Sequence, residues 1–211
     1  GLIKVNGQKM SKSLGNSLLL EDLLNEYSAE TVKYALLQTN YRGDINVTPT
    51  LFPDADKHMY NFYKVIDEVD KSGLTCDGGS KEIDDSFNRA MDDDFNVAKS
   101  LADLFAIFKS IRAKLTAGDK TAVSDARQVR ETYGLLGLFK ANPSDVIAAY
   151  ENKNKQESQN IPSEVAELVA ARAEAKKNKD WAKADEIRAK ITALGYVVKD
   201  TKDGAIVEKM G

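Results

Sequence analysis

Between Pro53 and Tyr150, apolar residues return every three or four positions. A helix gathers such a spacing on one face; a strand, with its period of two, does not. The run from Pro53 carries Met59, Phe62, Tyr63, Ile66 and Val69 on one stripe. A second run, Asn96 to Leu115, carries Val97, Leu101, Leu104, Phe105, Phe108 and Ile111. Helices are also expected over about Glu82 to Met91 and Thr121 to Leu136, with a loop at Ser72 to Ser80. A one-sided apolar stripe must be covered, so these helices are expected to pack together as a bundle.

The flanks read differently. Leu2 to Val5 is a strand-like apolar stretch, followed by the glycine-bounded polar loop "GQKMSKSLGN", Gly7 to Asn16. Leu19, Leu20, Leu23 and Leu24 then repeat at helical spacing, and Ser28 suits the N-cap of a further helix bearing Val32, Ala35 and Leu36. Gly43 and Pro49 break the pattern between Tyr41 and Pro49. Glu151 to Asn160 holds no apolar residue and reads as a solvated linker. Beyond it lie helical patterns at Pro162 to Asn178 and Trp181 to Leu194, with Gly195 suited to the helix end, then a hairpin, "YVVKD" and "AIVEK". The expected fold is therefore mainly α: a loop with short helices (residues 1–50), a helical bundle (51–152), and a small α+β unit ending in a β-hairpin (153–211).

Composition excludes several classes. The single cysteine, Cys76, rules out a disulfide framework or a cysteine-based zinc site within these 211 residues. No apolar run approaches the roughly 20 residues of a membrane span, so no membrane partner and a reducing, cytoplasmic setting are expected. A net charge of -3 argues against coating nucleic acid by bulk electrostatics. The tail is nonetheless slightly basic: Ile161 to Gly211 holds ten Lys/Arg and nine Asp/Glu, against twenty and twenty-four in the remainder.

Lys9 and Lys12, with Ser11 and Ser13, suit a polyphosphate, because ammonium groups on flexible stems can follow a charge that moves during reaction. Asn16 or Ser17 can cap the helix behind them, whose free N–H groups also favour an anion. The same residues on a solvated surface loop are the plain alternative. Lys9-Met10-Ser11-Lys12-Ser13-Leu14-Gly15-Asn16 resembles the second signature of class I aminoacyl-tRNA synthetases. Three later stretches, Thr31 to Thr48, Phe87 to Phe105 and Arg172 to Gly204, are similar in order to the cysteinyl-tRNA synthetase family.

That resemblance implies the C-terminal part of such an enzyme, with an upstream region removed. It implies ATP as substrate with Mg2+, and tRNA(Cys) and cysteine as partners. Zinc and the first, histidine-containing signature would lie in the upstream domain, and His58 and Cys76 do not replace them. By carry-over Lys12 stabilises charge developing on pyrophosphate, Lys9 assists, the backbone around Met10 approaches adenine, and Ser11 and Ser13 complete the loop. Two departures stand out: Asn40 occupies a position usually histidine, and Gly204 to Val207 lacks the family's tryptophan.

In the tail, Trp181 shares helical spacing with Ala184, Ile187, Ile191 and Leu194, so it is either core or a base-stacking platform. The resemblance implies anticodon reading, with Trp181, Asp185 and Asp200 at bases, and Lys176, Lys177, Lys179 and Arg188 at phosphates. The lysine run is otherwise a solvated helix face. Asp92, Asp93 and Asp94 lack the ligand spacing of a metal loop and read as helix-terminus charges and caps, so no metal site is expected. Two other functions share parts of the pattern: a cysteine-activating amino-sugar ligase, and a stand-alone RNA-binding module. The tail helix and hairpin favour the synthetase over the first, and the lysine loop favours it over the second.

Overall fold

The structure is a computed structural model and describes residues 3–11, 20–39, 44–159, 161–201 and 204–209. The chain divides into two compact units, 1–148 and 149–211.

The first unit opens with β1 (Ile3–Val5) and β2 (Gln8–Lys9), an antiparallel pair with Lys4 opposite Lys9 and Val5 opposite Gln8. The two connecting residues, Asn6 and Gly7, have φ of 50° and 80°. Left-handed backbone at both central positions matches the twist of the strands, which is why Asn-Gly is a strong hairpin signal. A third strand, β3 (Ile45–Val47), lies parallel to β1, giving the order β2-β1-β3. Asn46 accepts from the Gly7 N–H at 2.8 Å, so β3 also holds the hairpin turn. The stretch read as a break between Tyr41 and Pro49 thus contains a strand, and the lysine loop begins as one.

Between β2 and β3 lie α1 (Leu20–Glu26) and α2 (Ala29–Leu37). Ser28 caps α2, accepting from the Thr31 N–H at 3.0 Å. In α1 only Leu23 is buried; Leu20 and Leu24 are exposed, and Leu19 lies outside the described residues. Four helices follow: α3 (Leu51–Lys71), α4 (Lys81–Asp92), α5 (Val97–Thr116) and α6 (Thr121–Gly134). They bury the expected stripes, with Phe62 stacked on Phe108 at 4.7 Å. Phe139, fully buried after α6, lies against Phe62, Tyr63, Phe108 and Tyr133 and closes the core. Phe105 departs from its expected place. It is 48% exposed and meets His58 and Phe62 edge-on at the margin of the core.

One polar node ties α2 to the end of the bundle. The Tyr63 hydroxyl donates to Glu30, which also accepts from the Phe139 N–H. The Ala141 N–H donates to the same Tyr63 oxygen at 3.2 Å. Arg130 holds the carbonyls of Phe139 and Ala141, both at 3.0 Å. Burial pushes the Glu30 carboxyl above its usual value, against these hydrogen bonds.

Two further expectations need correction. Asp92 ends α4 and Asp93 follows it, but the side chain that caps α5 is Asn96, accepting from the Lys99 N–H at 3.1 Å. Asp94 and Phe95 turn the chain with φ of 55° and 53°. Of the segment read as a linker, Glu151 to Gln159 is helical and forms most of α7 (Pro143–Gln159), and Asn160 lies outside the described residues. Glu, Lys and Gln are good helix formers, so the polar run continues a helix begun by Val146 and Ile147, which pack on the core.

The second unit holds α8 (Ser163–Lys177), α9 (Trp181–Ala193) and a hairpin of β4 (Tyr196–Thr201) with β5 (Gly204–Lys209). Its core is Val165, Ile187, Ile191 and Val198. Gly195, at φ 85°, ends α9 and starts the hairpin.

Candidate functional site

The hairpin delivers the lysine loop. Lys9 is the last residue of β2, and Met10 N–H donates to the Ile3 carbonyl at 3.0 Å, so the loop leaves the sheet after Met10. Lys4 and Lys9, directly opposed, bring two like charges together, a pairing that disfavours the hairpin. The Asp44 carboxylate, just before β3, offsets this by pairing with Lys4 at 2.8 Å. Lys9 is exposed, and Met10 and Ser11 are partly buried. Lys12 and Ser13 lie outside the described residues.

In the second unit Lys176, Lys177, Lys179 and Trp181 lie at the turn between α8 and α9, Asp185 and Arg188 lie further along α9, and Asp200 is on β4. The Asp180 N–H donates to the Ala175 carbonyl at 2.9 Å and the Lys179 N–H to that of Lys176 at 3.1 Å. This pair of bonds is a Schellman motif, with Lys179 at φ 58° where glycine is usual. Asp180 then caps α9, accepting from the Lys183 N–H at 3.2 Å. The tight turn makes Trp181 the first residue of α9. Ala184, Ile187 and Ile191 are buried, but Trp181 is 59% exposed, so it is not a core residue. Lys176 and Lys177 lie in the last turn of α8, where cations meet the negative end of the helix dipole. Lys177, Lys179, Asp185 and Arg188 are exposed.

Asp200 is different. It follows Val198 by two residues on β4, which puts both side chains on one face of the hairpin. Val198 enters the core, and Asp200 meets α8 at its edge. Arg172 donates to both its oxygens, at 2.9 and 3.0 Å, and Lys176 pairs with Oδ2 at 2.9 Å. These bonds, Arg172 first, hold the Asp200 carboxyl far below the usual carboxylate range. Asp200 is thus an engaged, fully ionised acceptor.

Sequence reasoning missed Arg172 and the hairpin turn. Both had signals: Arg172 falls on the apolar stripe of α8 between Val165 and Ala175, and Asn6-Gly7 is a turn dipeptide. Among the described residues, no group of three His, Cys, Asp or Glu side chains is placed to hold a metal ion. No helix among them is long and apolar enough to cross a membrane.

Three family models match the chain in order. Residues 1–57 match the tRNA synthetases class I (C) catalytic domain, 86–140 the DALR domain, and 158–207 the cysteinyl-tRNA ligase anticodon binding domain. The chain is thus assembled from parts of a class I aminoacyl-tRNA synthetase. It is 36% identical over 97% of its length to the cysteine–tRNA ligase of Chromohalobacter salexigens, and 33% over 99% to that of Haemophilus influenzae. The Histophilus somni (strain 2336) enzyme of the same name is 32% identical over the whole chain. The chain belongs to the cysteine–tRNA ligase family and corresponds to the C-terminal part of its members. It spans 43–44% of the length of these relatives.

Proposed function

We propose that this chain is the part of a cytoplasmic cysteine–tRNA ligase that closes over ATP and holds tRNA(Cys). The in-order succession of the three family matches along one chain supports this reading most strongly. Residues 1–50 serve as the end of the catalytic domain, 51–152 as a helical spacer along the tRNA, and 153–211 as the anticodon reader. The bundle suits a spacer because a helix covers about 1.5 Å per residue, so α3 and α5 each extend roughly 30 Å.

The cysteine carboxylate attacks the α-phosphorus of ATP, and the α–β bridging bond breaks. Negative charge moves onto the departing pyrophosphate. Lys12, assisted by Lys9, meets that charge, while Met10, Ser11 and Ser13 form the rest of the ATP-binding loop; magnesium accompanies the nucleotide. A preorganised cation acts most where charge develops during reaction. The β1–β2 hairpin supports this role, because it anchors one end of the loop to a sheet. Within residues 153–211 Trp181 stacks on a base, Asp185 and Asp200 accept from base edges, and Lys176, Lys177, Lys179 and Arg188 meet phosphates. The exposure of Trp181 supports stacking.

In the full-length enzyme, Lys12→Ala is expected to slow cysteine-dependent pyrophosphate exchange about 10²–10³-fold, chiefly in kcat. The 211-residue chain alone is expected to give no exchange. An effect of Lys12→Ala confined to the KM for ATP would reduce the lysine to a ground-state binder.

A further inference from the structure

Arg172 is a cation in a core position, its side chain 8% exposed. Burying a guanidinium is costly, and packed apolar residues often serve stability as well or better. Here the cost is not fully offset: Arg172 Nε is buried with no hydrogen-bond partner among the described residues. Stability alone is therefore a weak reason for an arginine at this place. Three elements meet on it. From α8 its own fork holds Asp200 of β4, and from α9 the Asp185 charge acts on it.

The geometry also limits what Asp200 can do. A carboxylate offers about four lone-pair sites. Among the described residues Arg172 takes two and Lys176 one, leaving about one. A carboxylate clamped by a planar fork cannot swivel, so that last acceptor has a defined direction. We propose that Arg172 is a positioning residue, clamping Asp200 so that its remaining lone pair accepts from one base amino or imino N–H. A base edge offering a carbonyl or ring-nitrogen acceptor there is rejected. This inference rests on the RNA-reading role proposed above for residues 153–211. Arg172 itself touches no base.

The test uses the 211-residue chain and fluorescent anticodon stem-loop RNAs varied one anticodon base at a time, read by anisotropy. Arg172→Lys keeps the charge and loses the fork. It is expected to lower discrimination about tenfold at a single anticodon position, as one lost hydrogen bond would. The salt dependence of binding, set by phosphate contacts, should not change. Asp200→Asn is expected to lose the same position, and the double variant to lose no more than either alone. Retained discrimination at every position in Arg172→Lys would overturn the proposal, as would loss at a different position in Asp200→Asn. If Arg172→Lys unfolds the tail by circular dichroism, Asp200→Asn decides; if both unfold it, the pair is structural and the proposal falls. A wild-type chain that binds all anticodon variants equally would overturn the RNA-reading role itself. Discrimination by wild type that survives in Arg172→Lys would overturn only the positioning role.

Discussion

Replacing Trp181 by alanine separates a reading residue from a packing one. A fully buried aromatic contributes roughly 150–250 Å² of burial, and Trp181 is 59% exposed. About 100 Å² at most is therefore lost, or about 2.5 kcal/mol at 25 cal/mol per Å². That is an upper bound, because the unfolded chain already covers some apolar surface. Alanine also raises helix propensity at this position by several tenths of a kcal/mol. A net stability loss of about 1–2 kcal/mol is expected, below the roughly 3–5 kcal/mol of a core aromatic. Loss of one base stack should weaken RNA binding by about 1–3 kcal/mol. Thermal unfolding followed by circular dichroism gives the first quantity, and anisotropy with an anticodon stem-loop gives the second. Trp181 is the only tryptophan, so its emission should also be quenched when RNA is added to the wild-type chain. Unchanged RNA affinity in the variant, or emission indifferent to RNA, would refute the stacking role. In the full-length enzyme, cysteine activation should stay near normal.

Two further outcomes concern the node between α2 and the end of the bundle. Tyr63→Phe removes a hydrogen bond to a carboxylate and strips the Ala141 N–H of its acceptor, so about 2–4 kcal/mol of stability should be lost, measured by urea unfolding. A change below about 0.5 kcal/mol, the range of ordinary surface substitutions, would show the node to be incidental. Glu30 has its carboxyl pKa raised by burial, so the folded state binds its proton more tightly than the unfolded state. Its favourable contribution is complete below the unfolded value near 4.5 and is lost as pH rises through the higher folded value. The stability of the native chain relative to Glu30→Gln should therefore increase from pH 7 to pH 5, and a decrease would contradict the burial.

Local spacing determined most of the helices. The stripes of α3 and α5 recur within a few residues, and Ser28 caps its own helix, so neighbours in sequence carried the information. The lysine loop and the tryptophan beside a lysine run were visible for the same reason, each lying within one short stretch, but that Trp181 is exposed rather than core was decided by the fold. The polar end of α7 was misread because helix propensity without an apolar stripe resembles a linker. Phe105 was misread because periodicity marks a face but not how far the partner helix extends over it.

Tertiary structure alone decided the rest. The β1–β3 pair joins Lys4 to Asn46, and the Glu30 node reaches a backbone N–H 109 residues away. Asp200 has no visible partner in the sequence; the hairpin folds back onto α8, 28 residues upstream, and gives it a buried arginine. Hydrogen bonds and ion pairs act over a few ångströms, and only the folded chain brings groups so distant in sequence within that reach.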